Sequence, residues 1–117
     1  MNKQKVYLTG LMAGASSKVD FEIVSSLLRN AGFSVVLPMD QFDGMDVSQT
    51  HRAKMTMRIK AMLDCDVVVN LDNYEKDVCA SCEVKLARNI DMPLESAFNF
   101  LKRHGIKYET GTEAADM

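Results

Sequence analysis

The segment Asp66-Val67-Val68-Val69-Asn70-Leu71 constrains the fold more than any other in the chain. Its apolar residues are consecutive rather than alternating, and three of them are β-branched, which favours extended backbone. A strand of this kind is covered on both faces, the situation of a parallel sheet flanked by helices. Two other runs have the same character. Lys5-Val6-Tyr7-Leu8-Thr9 ends at Gly10, and Phe33-Ser34-Val35-Val36-Leu37 is closed by Pro38. The stretches between them carry helical spacing. Phe21, Val24, Leu27, Leu28 and Ala31 share one face, and Asn30-Ala31-Gly32 supplies a stop. Met55, Ile59, Met62 and Leu63 form a second such face, and Cys79, Cys82, Leu86, Ala87 and Ile90 a third.

Alternation of strand and helix predicts an α/β three-layer sandwich: a parallel sheet of four to five strands, helices on both sides, and right-handed crossovers. Ligands of such sheets bind beyond the carboxyl ends of the strands. The loops expected there are 10–17, 38–48 and 72–80. After Asp91 the pattern weakens. Asp91-Met92-Pro93-Leu94 is the candidate fourth strand. Glu95 to His104 reads as a helix burying Phe98, Leu101 and Ala97, with Gly105 at its stop. Ile106-Lys107-Tyr108 would be a short last strand, and Thr110 to Met117 a frayed end. The expectation is one domain over 1–117, with its core at about 5–94 and a C-terminal helix and tail over 95–117.

Composition narrows the function classes. Hydrophobic residues make up 47% and charged residues 26% of 117, as in an ordinary globular domain rather than a disordered tail. Lys and Arg number 14 against 16 Asp and Glu, a net charge of -2. That balance gives no electrostatic reason to expect a nucleic-acid or acidic-membrane partner. No apolar run approaches the roughly 20 residues that span a bilayer, and the N-terminus lacks a signal-peptide core. The expected compartment is the cytoplasm.

Of three cysteines, Cys79 and Cys82 form a C-x-x-C. A metal site would need a second pair of soft ligands, and His51 and His104 lie far off in sequence. A redox pair is the other sharp reading. We read both as small helical residues, with Cys82 toward the core, since free cysteine is among the most buried residue types.

Several loop residues could carry chemistry. Gly10 and Gly14 flank a small-residue turn between a strand and a helix, which lets backbone N–H groups approach a phosphate or sugar. It matches neither common nucleotide-binding glycine pattern, and a plain turn is the alternative. Glu83 lies one turn into the helix after the third strand, where the helix end favours an ionised carboxylate suited to a nucleophile or base. A solvated glutamate is the bland alternative. Asp77 would cap that helix or hold a ligand hydroxyl. The Tyr7 hydroxyl would point toward the ligand or pack in the core.

Three segments together resemble the nucleoside 2-deoxyribosyltransferase-like family and the related deoxynucleoside monophosphate N-glycosidases. They are Val6-Tyr7-Leu8-Thr9-Gly10, Leu63-Asp64-Cys65-Asp66-Val67-Val68-Val69 and Asp77-Val78-Cys79-Ala80-Ser81-Cys82-Glu83. The likeness runs from about Lys5 to Met92. It implies a flavodoxin-like or Rossmann-like sheet and cleavage of an N-glycosidic bond. Glu83 would attack the anomeric carbon, Asp77 would hold a deoxyribose hydroxyl, and Tyr7 would orient Glu83. Gly10, Leu11, Met12, Asp46, Met57, Cys79 and Ala80 would lie around the substrate. No cofactor and no metal is implied, the partner is a small nucleoside or nucleotide, and homo-oligomers are expected. Two positions depart from the family pattern. Met57 stands where an Asp handles the proton of the base, a task Asp46 or Asp43 would have to assume. Cys79 stands where a Gly is usual. A nucleotide or sugar-phosphate binding module of the same fold, and an oligomeric interaction protein, remain the alternatives to an enzyme.

Overall fold

The computed structural model describes residues 4–11, 15–42 and 50–107. Among these residues four strands, β1 (Lys5–Thr9), β2 (Ser34–Val36), β3 (Val67–Asn70) and β4 (Leu94–Ser96), form one sheet in the order β2-β1-β3-β4. Every neighbouring pair is parallel. Tyr7 is level with Val36 on one side and Val68 on the other. Among the described residues four α-helices accompany the sheet: α1 (Ala15–Asn30), α2 (His51–Leu63), α3 (Val78–Asn89) and α4 (Ala97–Arg103). Short 3-10 turns follow β2 (Pro38–Phe42) and β3 (Tyr74–Lys76). None of the helices described is long and apolar enough to cross a membrane.

The strands sort their side chains between two layers. Val6 and Leu8 of β1, with Val67 and Val69 of β3, pack on Phe21, Val24 and Leu28 of α1 and on Phe100 and Leu101 of α4. Tyr7 and Val68, one residue out of phase, pack on Met62 of α2 and Ala87 of α3. Successive strand residues face opposite sides, so the uninterrupted valines feed both cores at once. This is the three-layer sandwich expected from the sequence.

The sheet order places a change of direction at β1. The chain moves from β1 outward to β2, then returns across β1 to β3 and on to β4. Crevices at such reversals, outside the carboxyl ends of the strands, are where ligands of open α/β sheets bind. The loops after β1 and β3 meet here: the Leu11 N–H donates to Asn73 Oδ1 at 3.0 Å. Gly10 is required for that meeting. A Cβ on it would lie 2.8 Å from Leu71 Cβ and 3.0 Å from Asn73 Oδ1.

Some expected boundaries move. The fourth strand is Leu94–Ser96, not 91–94, because α3 ends in a turn that consumes those residues. Asp91 adopts φ 58° and the Met92 N–H returns to the Ala87 carbonyl. Ser96 then ends β4 and caps α4, accepting from the Asn99 N–H at 3.2 Å. In α4 the buried aromatic is Phe100. Phe98 is exposed, with the Lys102 ammonium 5.8 Å from its ring centroid. Ile106 and Lys107 form no strand. The Ile106 N–H bonds the Leu101 carbonyl past Gly105, which closes the helix at φ 71°. Tyr108 and 110–117 lie outside the described residues.

Candidate functional site

Tyr7 and Thr9, two residues apart on β1, face the same side of the sheet, toward α2 and α3. Both are fully buried, so their hydroxyls need partners there. The partner is Glu83. The Tyr7 hydroxyl donates to Oε2 at 2.5 Å and the Thr9 hydroxyl to Oε1 at 2.8 Å. Arg58 of α2 closes the group. Its Nε donates to Oε2 at 3.0 Å and its Nη2 to Oε1 at 2.6 Å, a two-pronged ion pair. Such paired contacts fix geometry as well as charge. Glu83 is 0% exposed and Arg58 2%. No buried side-chain nitrogen or oxygen among the described residues lacks a partner.

The electrostatics follow from burial. Tyr7 is pushed well above the ordinary phenol range, first by burial and then by the Glu83 charge, so its proton stays on oxygen. For Arg58, burial opposes the charge. Hydrogen bonding to Glu83 and its charge outweigh that penalty and hold the guanidinium further from deprotonation than usual. The countercharge for Glu83 is therefore Arg58. The helix end expected to supply it is too far: Glu83 lies beyond the first turn of α3, where that effect has faded.

Asp77 is the N-cap of α3, its Oδ1 accepting the Ala80 N–H at 2.9 Å. The cap anchors the helix that carries Glu83. Gly10 is buried between the loops, and Leu11 offers its N–H to Asn73. Ala80 is buried beneath the cap. Met57, beside Arg58 in sequence, is 38% exposed. Met12, Asp43 and Asp46 lie outside the described residues.

Two helical faces differ from expectation. On α3 the buried residues are Ala80, Glu83, Val84 and Ala87, while Cys82 is exposed rather than turned to the core. The four donors around Glu83 let a carboxylate take the inward position that apolar spacing assigned to cysteine. On α2 the buried residues are Arg58 and Met62, while Leu63 is 52% exposed. Arg58 and Thr9 are the site residues that sequence reasoning missed. Arg58 falls three residues after Met55 and four before Met62, on the inward stripe of its helix. An arginine there calls for a buried acid. Thr9 shares the parity of Tyr7.

The C-x-x-C gains one neighbour. Cys79 Sγ comes to 3.8 Å from His51 Nε2, across the first turns of α2 and α3. Burial raises the Cys79 thiol above its ordinary range. No cluster of three or more His, Cys, Asp or Glu side chains suited to a metal occurs among the described residues.

No protein of curated function matches the sequence. Among solved structures, a 2-deoxyribosyltransferase from the psychrotolerant bacterium Bacillus psychrosaccharolyticus shares the fold with a TM-score of 0.64 at 18% identity. The superposition covers 79% of this chain and 70% of that one. That enzyme is described as a biocatalyst for the synthesis of antiviral and antitumoral nucleosides. The α/β architecture of this chain is therefore 2-deoxyribosyltransferase-like. A family model described as a domain of unknown function, DUF4406, matches residues 4–96, and the chain belongs to that family.

Proposed function

We propose that this protein cleaves, or transfers a sugar across, the N-glycosidic bond of a deoxynucleoside or nucleotide, with Glu83 as nucleophile. The observation that carries the reading is the carboxylate itself. It is fully buried, yet held at the carboxyl end of β1 by the Tyr7 and Thr9 hydroxyls, beside the reversal of the sheet. Burying a charged side chain is expensive. A carboxylate fixed by several donors where such folds take their ligands suits attack on an anomeric carbon.

In this reading a Glu83 oxygen forms a bond to C1′ as the C1′–N bond breaks. The base leaves with the bonding pair and takes a proton from solvent water. Water, or a second base, then attacks C1′ and returns Glu83 as a carboxylate. Tyr7 keeps its proton and positions Glu83. Asp77 fixes the start of α3 and is the candidate partner for a sugar hydroxyl. The Gly10 and Leu11 backbone, with Cys79 and Ala80, would border the sugar or phosphate. Self-association belongs to the same reading.

A second reading has its own support. Arg58 occupies both oxygens of Glu83, and exposed Met57 offers no proton for a departing base. Those features favour a nucleotide or sugar-phosphate binding module. The deciding experiment incubates the protein with a panel of 2′-deoxynucleosides and their 5′-monophosphates and follows free base by chromatography. Base release that Glu83→Ala abolishes supports the enzyme. Thermal stabilisation by the panel with no base released, at any substrate, supports the binding module.

A further inference from the structure

Every acceptor position of the Glu83 carboxylate is in use. Oε1 receives Thr9 and Arg58, and Oε2 receives Tyr7 and Arg58. A carboxylate oxygen offers about two lone-pair sites, so none is left to meet a ligand. One of these hydrogen bonds must open before Glu83 can touch anything.

The donors differ in their freedom to move. Tyr7 and Thr9 stand on β1, an inner strand paired on both sides, and their side chains are packed in the sheet interior. These side chains, packed in the sheet interior, have little room to carry their hydroxyls away from Glu83. Arg58 reaches the carboxylate on a long unbranched arm from a helix in the outer layer. It is the donor that can turn away. A guanidinium that leaves its carboxylate without gaining another anion would be a buried, uncompensated charge, which is strongly disfavoured.

We propose that Arg58 is an exchangeable counter-ion: it pairs with Glu83 in the ligand-free protein and passes to an anionic oxygen group on the incoming ligand, which bares Glu83. The inference deepens the function proposed above, from which it takes the requirement that Glu83 meet a ligand. It makes Arg58 a residue that couples recognition of a ligand anion to release of the carboxylate. A neutral ligand would leave the pair closed.

Competition for one guanidinium gives the test. Inorganic phosphate is titrated by calorimetry into the wild type, Glu83→Gln and the Arg58→Met/Glu83→Gln double variant. The double variant removes both charges together, so it avoids stranding either one; Glu83→Gln leaves Arg58 without its countercharge, so melting curves are recorded for both variants and each is titrated below its own melting transition. Glu83→Gln, which no longer competes for Arg58, is expected to bind phosphate at least tenfold more tightly than wild type. The double variant is expected to lose binding. Equal affinity in wild type and Glu83→Gln, no binding in Glu83→Gln, or binding that persists in the double variant overturns the exchange. Base release is scored on the wild-type preparation. The phosphate pattern without base release overturns the glycosidic reading and assigns the exchange to binding alone. Base release without the phosphate pattern overturns the exchange alone.

Discussion

Tyr7 and Glu83, 76 positions apart in sequence, share a hydrogen bond of 2.5 Å in the buried layer between β1 and α3. The bond ties the first strand of the sheet to the third crossover helix. It also orients the carboxylate from an inner strand of the sheet.

Removing the phenol oxygen tests that orientation. Tyr7→Phe keeps the packing but leaves Oε2 with Arg58 alone. Loss of a buried donor to a charged acceptor is expected to destabilise the fold by about 1–3 kcal/mol, read from urea denaturation. If the proposed glycosidic function holds, base release should fall by roughly 10–100-fold, mostly in kcat, because the carboxylate would be misplaced.

The ion pair itself is open to a double-mutant cycle. Arg58→Met strands a buried carboxylate and should cost about 3–5 kcal/mol. Adding Glu83→Gln removes the stranded charge. The double variant should therefore be more stable than Arg58→Met alone, with a coupling of about 0.5–3 kcal/mol by denaturant titration. Simple additivity would show that the two side chains do not depend on each other.

Gly10→Ala probes the junction of the first and third loops. The added methyl would lie 2.8 Å from Leu71 Cβ, too close for carbon atoms in contact. Overpacking of this kind costs about 1–3 kcal/mol. The Leu11–Asn73 hydrogen bond should open, seen as faster exchange of the Leu11 amide proton.

Cys65 supplies a pH signature. Burial pushes its thiol up to about 11 from an ordinary 9.0. The folded protein therefore holds this proton more tightly than the unfolded chain does. The contribution is complete below pH 9 and is lost as pH rises toward about 11. Wild type should lose more stability than Cys65→Ala across that window. At neutral pH the exposed Cys82 should react first with a thiol reagent, and Cys65 only on unfolding.

Much of the architecture was legible because β1 and β3 announce themselves. Val67–Val69 is too continuous for a half-exposed strand, and Lys5–Thr9 is bounded by a glycine. The 91–94 segment misled because extended backbone and the turn leaving α3 carry the same residue types. Tyr7 and Glu83 were visible as candidates, and the resemblance to deoxyribosyltransferases joined them. Arg58 was not, since apolar spacing looks for greasy residues and passes over a cation among them. Its meaning depends on Glu83, 25 residues away and on another helix. The inward turn of Glu83 in place of Cys82 was hidden for the same reason: each charge is buried only because the other is.

The two-layer sorting of β1 carries one more consequence. Sliding that strand by a single residue would put Val6 and Leu8, or Leu8 and Gly10, where Tyr7 and Thr9 stand. Hydrophobic burial alone would penalise such a slip weakly, because both layers accept aliphatic side chains. The hydroxyls, however, would land against α1 and α4, and Glu83 would lose half its donors. The polar group thus proofreads the alignment of the central strand, so a chain misthreaded at this point would be rejected before any ligand met it.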